Sequence, residues 1–415
     1  MKFGIHTIDE FELAGKTVLC RVDMNQPVDR ETDTLKSTQR IEACAPTVKE
    51  LSDKGAKVVL MAHQGSDIEY ENFYCTRPHA KVLSSLIGKE VAWIDDVCGP
   101  AAREAIKAMK DGEILLLDNV RYCSEEQTLF EMKLKLTHEE QARTQVVTKL
   151  APLGDLYVND AFAASHRDQP TICGFEQVMP SAMGRLFEKE YVVISELMES
   201  PEKPCVFVLG GSKISDAFIM METVLGKGSA DTVLTGGLVG NILLYAVGKP
   251  IGKGSLDFIY AKNYEDYIPK ARALYEKYAD KIVLPLDLAG VTDGVRSEYT
   301  LDEVPEDLSA IDIGGKTIAQ YEQIIADAKT VFVNGPMGVF QQEPSEAGTK
   351  AVFEALAATE AYTVIGGGDS VTASRKYKVA DKIGYVCTGG GALIRFLTGE
   401  ELPAVKALRH AAKVF

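Results

Sequence analysis

Charged and imidazole side chains follow several apolar runs in the first half of the chain, each at the point where the run ends. Residues 17–23 form one such run, and residues 57–62, which lead into His63, form another. Arginine forks match the oxygens of phosphate and carboxylate groups, so these residue types suit a small, multiply anionic ligand. Each residue alone also has a structural explanation, such as a surface ion pair, but their repetition favours a shared anion site. The candidates are Asp23, Asn25, His63, Arg121, His166 and Arg167.

A second candidate anion site lies near the middle of the chain. The apolar run at 205–209 ends in Gly210 and Gly211, and Lys213 follows where a helix is predicted to begin. The free N–H groups and the dipole of a helix N-terminus attract anions, and a lysine there adds a full charge. The spacing differs from the G-x-x-x-x-G-K-[ST] loop of the common nucleotidases. A tight turn with a solvated lysine explains these residues alone equally well.

Glycine replaces charge at the strand ends of the second half. Five predicted strands there end in glycine, at 210–211, 236–237, 335–338, 366–368 and 389–391. Glycine lets a bulky ligand approach the backbone, and the helices that follow offer N–H groups to phosphate, so this half is predicted to bind a nucleotide. Residues 237–240 resemble part of a dinucleotide fingerprint, but the acidic ribose partner is missing at the expected distance, which disfavours NAD.

Parallel βαβ units are the elements that would position these residues. In the first half, strands are predicted at 17–23, 57–62, 91–94, 113–117 and 156–158, and predicted helical segments separate them. Ligands bind beyond the carboxyl ends of such strands, where the polar residues fall. The pattern predicts a helix over 34–53 that is kinked or restarted at Pro46. It also predicts a solvated, highly charged helix over 124–149, with His138 on it exposed. No role is predicted for His138, His6, His79 or His410.

Composition limits the class of protein. The 415 residues favour two domains, and the net charge of −15 argues against nucleic acid or an anionic membrane as a partner. The eight cysteines form no C-x-x-C pair, which argues against zinc or disulfides and for a reducing cytoplasm. The N-terminal residues lack a signal-peptide core, and no apolar run is long enough to span a membrane. A continuous helix over 185–198 is the predicted connector.

Seven motifs in order give the chain a resemblance to a known family. They are RVDMNQP at 21–27, LLDNVRY at 116–122, NDAFAASHR at 159–167, LGGSKISD at 209–216, NGPMGVF at 334–340, GGGDS at 366–370 and CTGGGA at 387–392. Together these motifs resemble those of phosphoglycerate kinase. The segments LTGGLVGN at 234–241 and MAHQG at 61–65 are most similar to the archaeal branch.

The resemblance implies an α/β fold with two doubly wound, parallel-sheet (Rossmann-like) domains that face each other across a cleft and are joined by a hinge helix. The implied boundaries are 1–184 with the tail at about 403–415 for the glycerate domain, 185–200 for the hinge, and 201–402 for the nucleotide domain. The implied reaction is reversible, in-line phosphoryl transfer between 1,3-bisphosphoglycerate and ADP after domain closure, giving 3-phosphoglycerate and ATP. Mg²⁺ accompanies the nucleotide, and a monomer is expected.

Residue roles carry over by position. The implied catalytic residues are Arg40, Lys213, Gly390 and Gly391, and Asp369 is implied to serve the magnesium. Substrate would be bound by Asp23, Met24, Asn25, Arg40, His63, Gln64, Gly65, Ser66, Arg121 and Arg167. Nucleotide would be bound by Gly210, Gly211, Lys213, Gly236, Gly237, Asn334, Pro336, Gly338, Val339, Gln341, Gly367, Gly368, Asp369 and Ser370.

Three positions depart from the family pattern and keep alternatives open. Ser66 stands where many relatives have a cation, for which Arg77 is a candidate replacement. Ala217 replaces a second lysine, and Gln341 replaces the usual ribose-binding glutamate. These changes predict weaker ligand binding. They also motivate a second reading, a relative that binds nucleotide or glycerate as a regulatory or structural protein. A NAD-dependent enzyme on the same fold is the third.

Overall fold

The chain forms two compact units, and the computed structural model describes all residues from 1 to 415. One unit comprises Met1–Val192 with Glu401–Phe415, and the other comprises Val193–Glu400. The division falls inside the helix Arg185–Glu199, which the sequence predicts as a hinge. Asp160 accepts hydrogen bonds from the backbone N–H groups of Leu186 and Phe187 and so holds the start of this helix. The hinge role stays a prediction.

The first unit is built on a six-stranded parallel sheet with the order β5-β6-β4-β1-β7-β8. Every residue of β1 is buried, as expected for a strand covered by helices on both faces. A short antiparallel pair, β2 and β3, lies outside this sheet. The strands are β1 Thr17–Arg21, β2 Val28–Asp29, β3 Thr34–Leu35, β4 Lys57–Met61, β5 Val91–Ile94, β6 Ile114–Leu117, β7 Leu156–Asn159 and β8 Ser181–Met183.

Alternate residues of these strands enter two separate apolar layers. Val18 and Val58 belong to one buried cluster, whereas Leu19 and Val59 belong to another on the opposite face. The period of two along each strand produces this division, and helices cover both layers. The helices are α1 Gln39–Asp53, α2 Arg77–Ile87, α3 Pro100–Ala108, α4 Thr128–Leu134, α5 His138–Gln141, α6 Gln145–Leu150, α7 Pro170–Cys173 and α8 Arg185–Glu199.

Two helix predictions in this unit are wrong in their bounds. The helix predicted from residue 34 begins at Gln39, because Thr34–Leu35 pairs with Val28–Asp29 as a strand. It continues through Pro46 without restarting. Residues 124–149 do not form one helix, since Lys135 ends α4 in a left-handed conformation and Thr137 caps α5.

The same charged segment is also less solvated than the sequence predicts. Glu126 and Gln141 are fully buried, and the side chain of His138 is only 13% exposed. The prediction that His138 is exposed is therefore wrong. Its ring lies beside Asp168, a partner that no periodicity in the sequence indicates.

The second unit repeats the architecture with the strand order β11-β10-β9-β15-β16-β17, again all parallel. The prediction of two parallel-sheet α/β domains is confirmed. A three-stranded antiparallel sheet, β13-β12-β14, was not predicted. Its strands β12 and β13 meet at Asp293 and Gly294, both with positive φ, which is the hairpin signal that the sequence carries. The strands are β9 Cys205–Leu209, β10 Thr232–Thr235, β11 Ile282–Val283, β12 Asp287–Thr292, β13 Val295–Thr300, β14 Asp312–Ile313, β15 Thr330–Asn334, β16 Tyr362–Gly366 and β17 Tyr385–Val386.

Helices complete the second unit, and the last helix returns to the first. The helices are α9 Ile214–Gly226, α10 Gly237–Ala246, α11 Lys253–Ala261, α12 Tyr267–Tyr278, α13 Gly315–Ala326, α14 Ala347–Ala358, α15 Gly368–Lys376, α16 Gly390–Leu397 and α17 Pro403–Val414. Short 3-10 turns lie at Ile8–Glu10, Val120–Tyr122, Ser124–Glu126, Ala151–Leu153, Phe162–Ala164, Phe175–Gln177, Glu343–Ser345 and Ala380–Lys382. The N–H of Ala404 in α17 donates to the carbonyl of Ser165 in the first unit. No helix has the length and apolar character needed to cross a membrane.

Candidate active site

Arg21 and His63 lie side by side at the carboxyl ends of β1 and β4. Arg21 is 1% exposed, and it donates from Nε to the hydroxyl of Thr171 at 2.9 Å and from Nη1 to the carbonyl of Val22 at 2.6 Å. Its Nη2 lies 3.1 Å from Nδ1 of His63. Because a guanidinium can only donate, Nδ1 must accept, and the proton of the neutral imidazole therefore sits on Nε2.

His63 is held neutral at the centre of a cationic cluster. Burial lowers its pKa well below the usual 6.5, and the charges of Arg21, Arg121, Arg40 and Arg167 lower it further. The charges of four arginines thus act on the protonation of one ring. The sequence predicted three of these four arginines as ligand-binding residues, and it gave no role to Arg21, which is buried beside the ring.

The loop after β4 is tied to the loop after β1 by polar side chains. Asp23 accepts from Nη1 of Arg40 at 2.5 Å and from the N–H of Asn25 at 3.1 Å. Asn25 in turn accepts from the N–H of Gly65 at 2.8 Å. Gly65 has a φ of +72°, and a Cβ there would lie 2.3 Å from the carbonyl oxygen of Asn72. Only glycine fits this position, so the loop geometry is fixed.

The Gln64 side chain makes its hydrogen bonds within this loop, and the predicted contact of Gln64 with substrate stays a prediction. It is fully buried, and its Oε1 accepts from the N–H of Gln26 at 3.0 Å and faces Nε2 of His79 at 2.8 Å. Its Nε2 donates to the carbonyls of Gln26 and Asn72. All its polar atoms are used inside the protein. His79, to which the sequence gave no role, therefore positions the loop.

The structural environments of Asn119 and Met24 could not be predicted from the motifs that contain them. Asn119 accepts from the N–H groups of Gln64 and Arg121, both at 3.1 Å, and so links the loops after β4 and β6. Asn119 stands two positions before Arg121 in the motif at 116–122, and this proximity could have identified it as a residue of the site. Met24, predicted to bind substrate, is fully buried in the apolar core, so its side chain does not reach the loop surface.

Arg121 and Arg167 complete the cluster. Arg121 is 6% exposed, donates from Nη1 to the carbonyl of Gly65, and has a buried Nε without a hydrogen-bond partner. Burial lowers its pKa, as do the charges of Arg21 and Arg167. Arg167 is 36% exposed and lies 3.8 Å from Glu131. The free Nε and the mutual repulsion leave this group able to bind an anion.

Ser66 adds no charge to the cluster, and Arg77 is paired with an acid. Ser66 is half-buried. Arg77 pairs with Asp33 at 3.1 Å and stacks over the ring of Trp93. These contacts direct the Arg77 side chain to Asp33 and Trp93, and the suggestion that it compensates for Ser66 stays a prediction.

The buried acid Glu126 is linked to Arg21 of the cluster through Thr171. Glu126 accepts from the backbone N–H and the hydroxyl of Thr171, which itself accepts from Arg21. Burial raises the pKa of Glu126 to about 7, against the opposing effect of the Arg21 charge. The sequence placed this residue in a solvated helix and gave it no role.

The glycine loops of the second unit interlock through their backbones. The N–H of Gly211 donates to the carbonyl of Pro336 at 2.7 Å, and the N–H of Gly237 donates to that of Met337 at 2.7 Å. A Cβ on Gly210 would lie 2.2 Å from the Pro336 oxygen, and a Cβ on Gly236 would lie 2.6 Å from the sulfur of Met337. These glycines are required by loop-to-loop packing as well as by any ligand.

The interlocked loops border a cleft of about 1030 Å³, including its solvent-open space. Its apolar walls include Leu238, Phe258 and Ile311, which sequence reasoning missed. Predicted residues that also line it are Gly211, Gly237, Pro336, Gly338, Val339, Gln341 and Asp369. Such an apolar slot beside N–H-rich turns is suited to a flat base attached to phosphates.

Charged side chains near this cleft are unpaired. Lys213 precedes α9 and Asp369 lies in the first turn of α15, and both are exposed, with side chains that make no hydrogen bond or ion pair. Gly368 and Gly390 have open space where a Cβ would stand. Gly390 and Gly391 open α16 with exposed N-terminal backbone.

Three predicted nucleotide residues have mainly structural positions. Ser370 is fully buried, and its hydroxyl accepts from the N–H of Gly335 at 2.9 Å. Asn334 ends β15 and has a buried Nδ2 without a partner. Gly367 has a φ of +88° beside the Asn334 side chain. These residues shape the loops around the cleft but do not line it.

The fold and these loops agree with a family match across almost the whole chain. The family model described as phosphoglycerate kinase matches residues 8–400. The chain belongs to the phosphoglycerate kinase family. A phosphoglycerate kinase of Methanothermobacter thermautotrophicus is 44% identical over 411 residues, which are 99% of this chain and 98% of that protein. One of Thermococcus kodakarensis is 39% identical over 98% of each chain.

Solved phosphoglycerate kinases have the same fold. The crystal structure from Pyrococcus horikoshii OT3 gives a TM-score of 0.85 at 37% identity, covering 99% of this chain and 100% of that one. The structure from Coxiella burnetii gives 0.84 at 30% identity, covering 97% and 98%. The predicted resemblance to the family, and its archaeal character, are confirmed. The chain is a kinase with the activity of this family. The matches support that function over the regulatory alternative.

Proposed function

We propose that the first unit binds 3-phosphoglycerate or 1,3-bisphosphoglycerate through Arg40, Arg121 and Arg167 around neutral His63. The observation that carries this proposal is geometric: Arg21 contacts His63 at 3.1 Å, Arg40 is held by Asp23 after β1, and Arg121 is held by the carbonyl of Gly65, two residues after His63. A phosphoglycerate bears a phosphate and a carboxylate, and each matches an arginine fork. The Nε2–H of His63 is available as a neutral donor. Asp23 and Asn25 hold Arg40 and the Gly65 turn in register.

The second unit is proposed to bind ADP or ATP. The apolar walls at Leu238 and Phe258 suit the base, and Gln341 at the rim has an amide for the ribose hydroxyls. The turns at Gly211 and Gly237 bring backbone to the same cleft. In this arrangement the nucleotide phosphates would contact backbone N–H groups and a lysine. The flat base would occupy the apolar slot.

Asp369 is the proposed magnesium residue. Mg²⁺ in phosphotransferases is held by one or two carboxylates together with substrate phosphates. The Asp369 carboxylate fits that requirement, because it borders the cleft, is exposed and has no competing partner. When held by Asp369 and the nucleotide phosphates, Mg²⁺ would neutralise charge on those phosphates.

Phosphoryl transfer by these residues needs positioning and charge and no covalent intermediate. Lys213 has an unpaired ammonium and is proposed to neutralise the group in transfer. The N–H groups at Gly390 and Gly391 are proposed to assist, with Arg40 acting from the glycerate side. The reaction requires the two bound ligands to meet, so domain closure about α8 is part of the proposal.

Partners and location are proposed from composition. The net charge of −15 favours small-molecule ligands in a local basic site over nucleic acid or membrane. The eight cysteines form no C-x-x-C pair, and a reducing cytoplasm is proposed on that ground. A monomer is proposed, since each set of binding residues lies within one unit of one chain.

Binding measurements on two variants test the proposed sites separately. Arg167→Gln should weaken 3-phosphoglycerate binding by calorimetry and leave ADP binding unchanged, and Leu238→Gln should do the reverse. Arg103→Gln, on α3 and in neither set of proposed binding residues, serves as the control. Equal loss of both ligands in either variant would contradict the assignment, as would unchanged binding in both.

A further inference from the structure

Three metal-binding side chains of different types meet in the first unit, away from the arginine cluster. A nitrogen of His138, a carboxylate oxygen of Asp168 and the sulfur of Cys173 all lie within 4.8 Å of one another. Nε2 of His138 is 3.3 Å from the Asp168 carboxylate. The sequence spacing of these residues resembles no metal motif, because α5 and α7 bring them together only in the fold.

A cavity gives access to this cluster. Its volume is about 630 Å³, including open solvent, and it is lined by His138, Asp168, Glu139 and, from α17, Lys406 and His410. Cys173 is fully buried and lies beneath the two partly exposed ligands. An ion could therefore enter past His138 and Asp168 and reach the sulfur last.

We propose that His138, Asp168 and Cys173 form a site for a borderline divalent cation of the Zn²⁺ class. Imidazole, carboxylate and thiolate are together the ligand types of zinc, which binds them at about 2.0–2.3 Å in a tetrahedron. Mg²⁺ and Ca²⁺ prefer oxygen ligands only and do not match this set. Three protein ligands leave the fourth position to water or to another group lining the cavity.

Neighbouring groups already orient the ligands as the outer shell of a metal site does. Nε2 of Gln141 donates to the Asp168 carboxylate at 2.5 Å, and Thr137 caps the turn that carries His138. Such outer contacts fix the orientation of metal ligands. The burial of Cys173, with the charges of Glu176 and Asp168, raises the pKa of its thiol well above its ordinary value. The ion must therefore displace the thiol proton to solvent, which limits the affinity.

The site shares its backbone with Arg167. The Cys173 thiol donates to the Arg167 carbonyl at 3.7 Å, and Asp168 is the next residue in the chain. Loss of the thiol proton on metal binding removes that contact. We expect the bound ion to change the affinity for 3-phosphoglycerate, and this consequence, unlike the site itself, rests on the proposed role of Arg167.

Cobalt absorption tests the site directly. Co²⁺ titrated into the reduced full-length protein should give tetrahedral d–d bands and a thiolate-to-cobalt charge-transfer band, both removed by one equivalent of Zn²⁺. Cys173→Ser should abolish the charge-transfer band, and His138→Gln should weaken binding at least tenfold. His138→Gln replaces a partly exposed residue, so it keeps the test valid if Cys173→Ser does not fold.

Matched controls are available in the same chain. Cys75→Ser removes a half-buried cysteine elsewhere, and His6→Gln removes another histidine paired with an acid, Glu10 at 2.8 Å. Both should leave the cobalt spectrum unchanged. The proposal is overturned if wild type gives no charge-transfer band, or if the band survives in Cys173→Ser. An unchanged 3-phosphoglycerate affinity at saturating Zn²⁺ would refute the link to Arg167 alone.

Discussion

Arg21 donates a hydrogen bond to Nδ1 of His63 across 3.1 Å, and both side chains are buried. The contact determines which nitrogen of the imidazole carries the proton, since the guanidinium has no lone pair to offer. A permanently charged residue thereby keeps its neighbour neutral and leaves Nε2–H as a donor. The arginines supply the positive charge of the candidate site, and the neutral His63 ring supplies an N–H donor of fixed orientation.

The His63 ring should stay neutral across the working pH range. Burial and four arginines hold its pKa well below 6.5, so ¹⁵N spectra of the ring should show the Nε2–H tautomer from pH 8 down to about pH 5.5. Below about pH 6.5 His63 binds a proton in the unfolded chain but not in the folded protein. Its contribution should therefore lower the free energy of unfolding as the pH falls. His63→Asn identifies the signal, and titration near pH 6.5 would contradict the geometry.

Arg121→Lys should bind 3-phosphoglycerate roughly 10–100-fold more weakly, since charged hydrogen bonds contribute about 1.5–3 kcal/mol each. Arg121 is held by Gly65 and Asn119 so that the rest of its fork stays free. A lysine ammonium cannot reproduce that fork. Calorimetry with the ligand measures the loss. Arg77→Lys, at a residue bound to Asp33, is the control and should bind normally; equal affinities in both variants would argue against the Arg121 role.

Gly65→Ala should destabilise the protein by about 3 kcal/mol, because the new methyl would meet the Asn72 carbonyl at 2.3 Å in a left-handed backbone conformation. Gly88→Ala is the matched variant, with a φ of +67° and nothing within 4 Å of the added carbon. It should cost only the conformational term, about 1 kcal/mol. Urea unfolding measures both. Similar losses in the two variants would show that the Asn72 contact is relieved by movement.

Lys213→Ala should reduce turnover about 10²–10³-fold and leave ADP affinity close to wild type, since an unpaired charge at a helix start acts mainly on the transition state. A coupled assay gives turnover, and equilibrium titration gives the affinity. Lys249→Ala, another exposed lysine of the same unit, is the control. Near-normal turnover in Lys213→Ala would mean that another group supplies the catalytic charge.

Glu126 should make the protein less stable as pH rises from about 4.5 to 7. Its folded pKa of about 7 lies above its ordinary 4.5, so the folded state keeps a proton in this window that the unfolded chain has released. The contribution is up to about 3 kcal/mol. Burial raises the pKa of Asp160 to about 7 as well, so Glu126→Gln should reduce the slope without removing it.

The measurement is the free energy of unfolding at several pH values, with exposed Glu322→Gln as the control. Glu126→Gln keeps an oxygen that can accept from Thr171. An unaltered pH slope in that variant would show that Glu126 is ionised in the folded protein.

Local sequence was enough for the parallel strands and for the contrast between charged strand ends in the first unit and glycine strand ends in the second. Continuous apolar runs such as Cys205–Leu209, ending in glycine or charge, can be recognised without knowing their neighbours. The antiparallel strands β12–β14 were missed because their alternation is weak, although Asp293 and Gly294 marked the hairpin. The charged segment at 124–149 was misread because burial of Glu126 depends on Thr171, a residue far along the chain.

The sequence by itself determined the fold class, the family and most of the charged residues of the site, because motifs and hydrophobic periods are local. Only the tertiary structure decided which of those side chains are buried or paired within the protein and which remain free. It buried Gln64 and Met24, paired Arg77 with Asp33, and set Arg21 against His63. Hydrogen-bond partners and pKa shifts depend on groups that folding brings together, and no spacing along the chain encodes those distances.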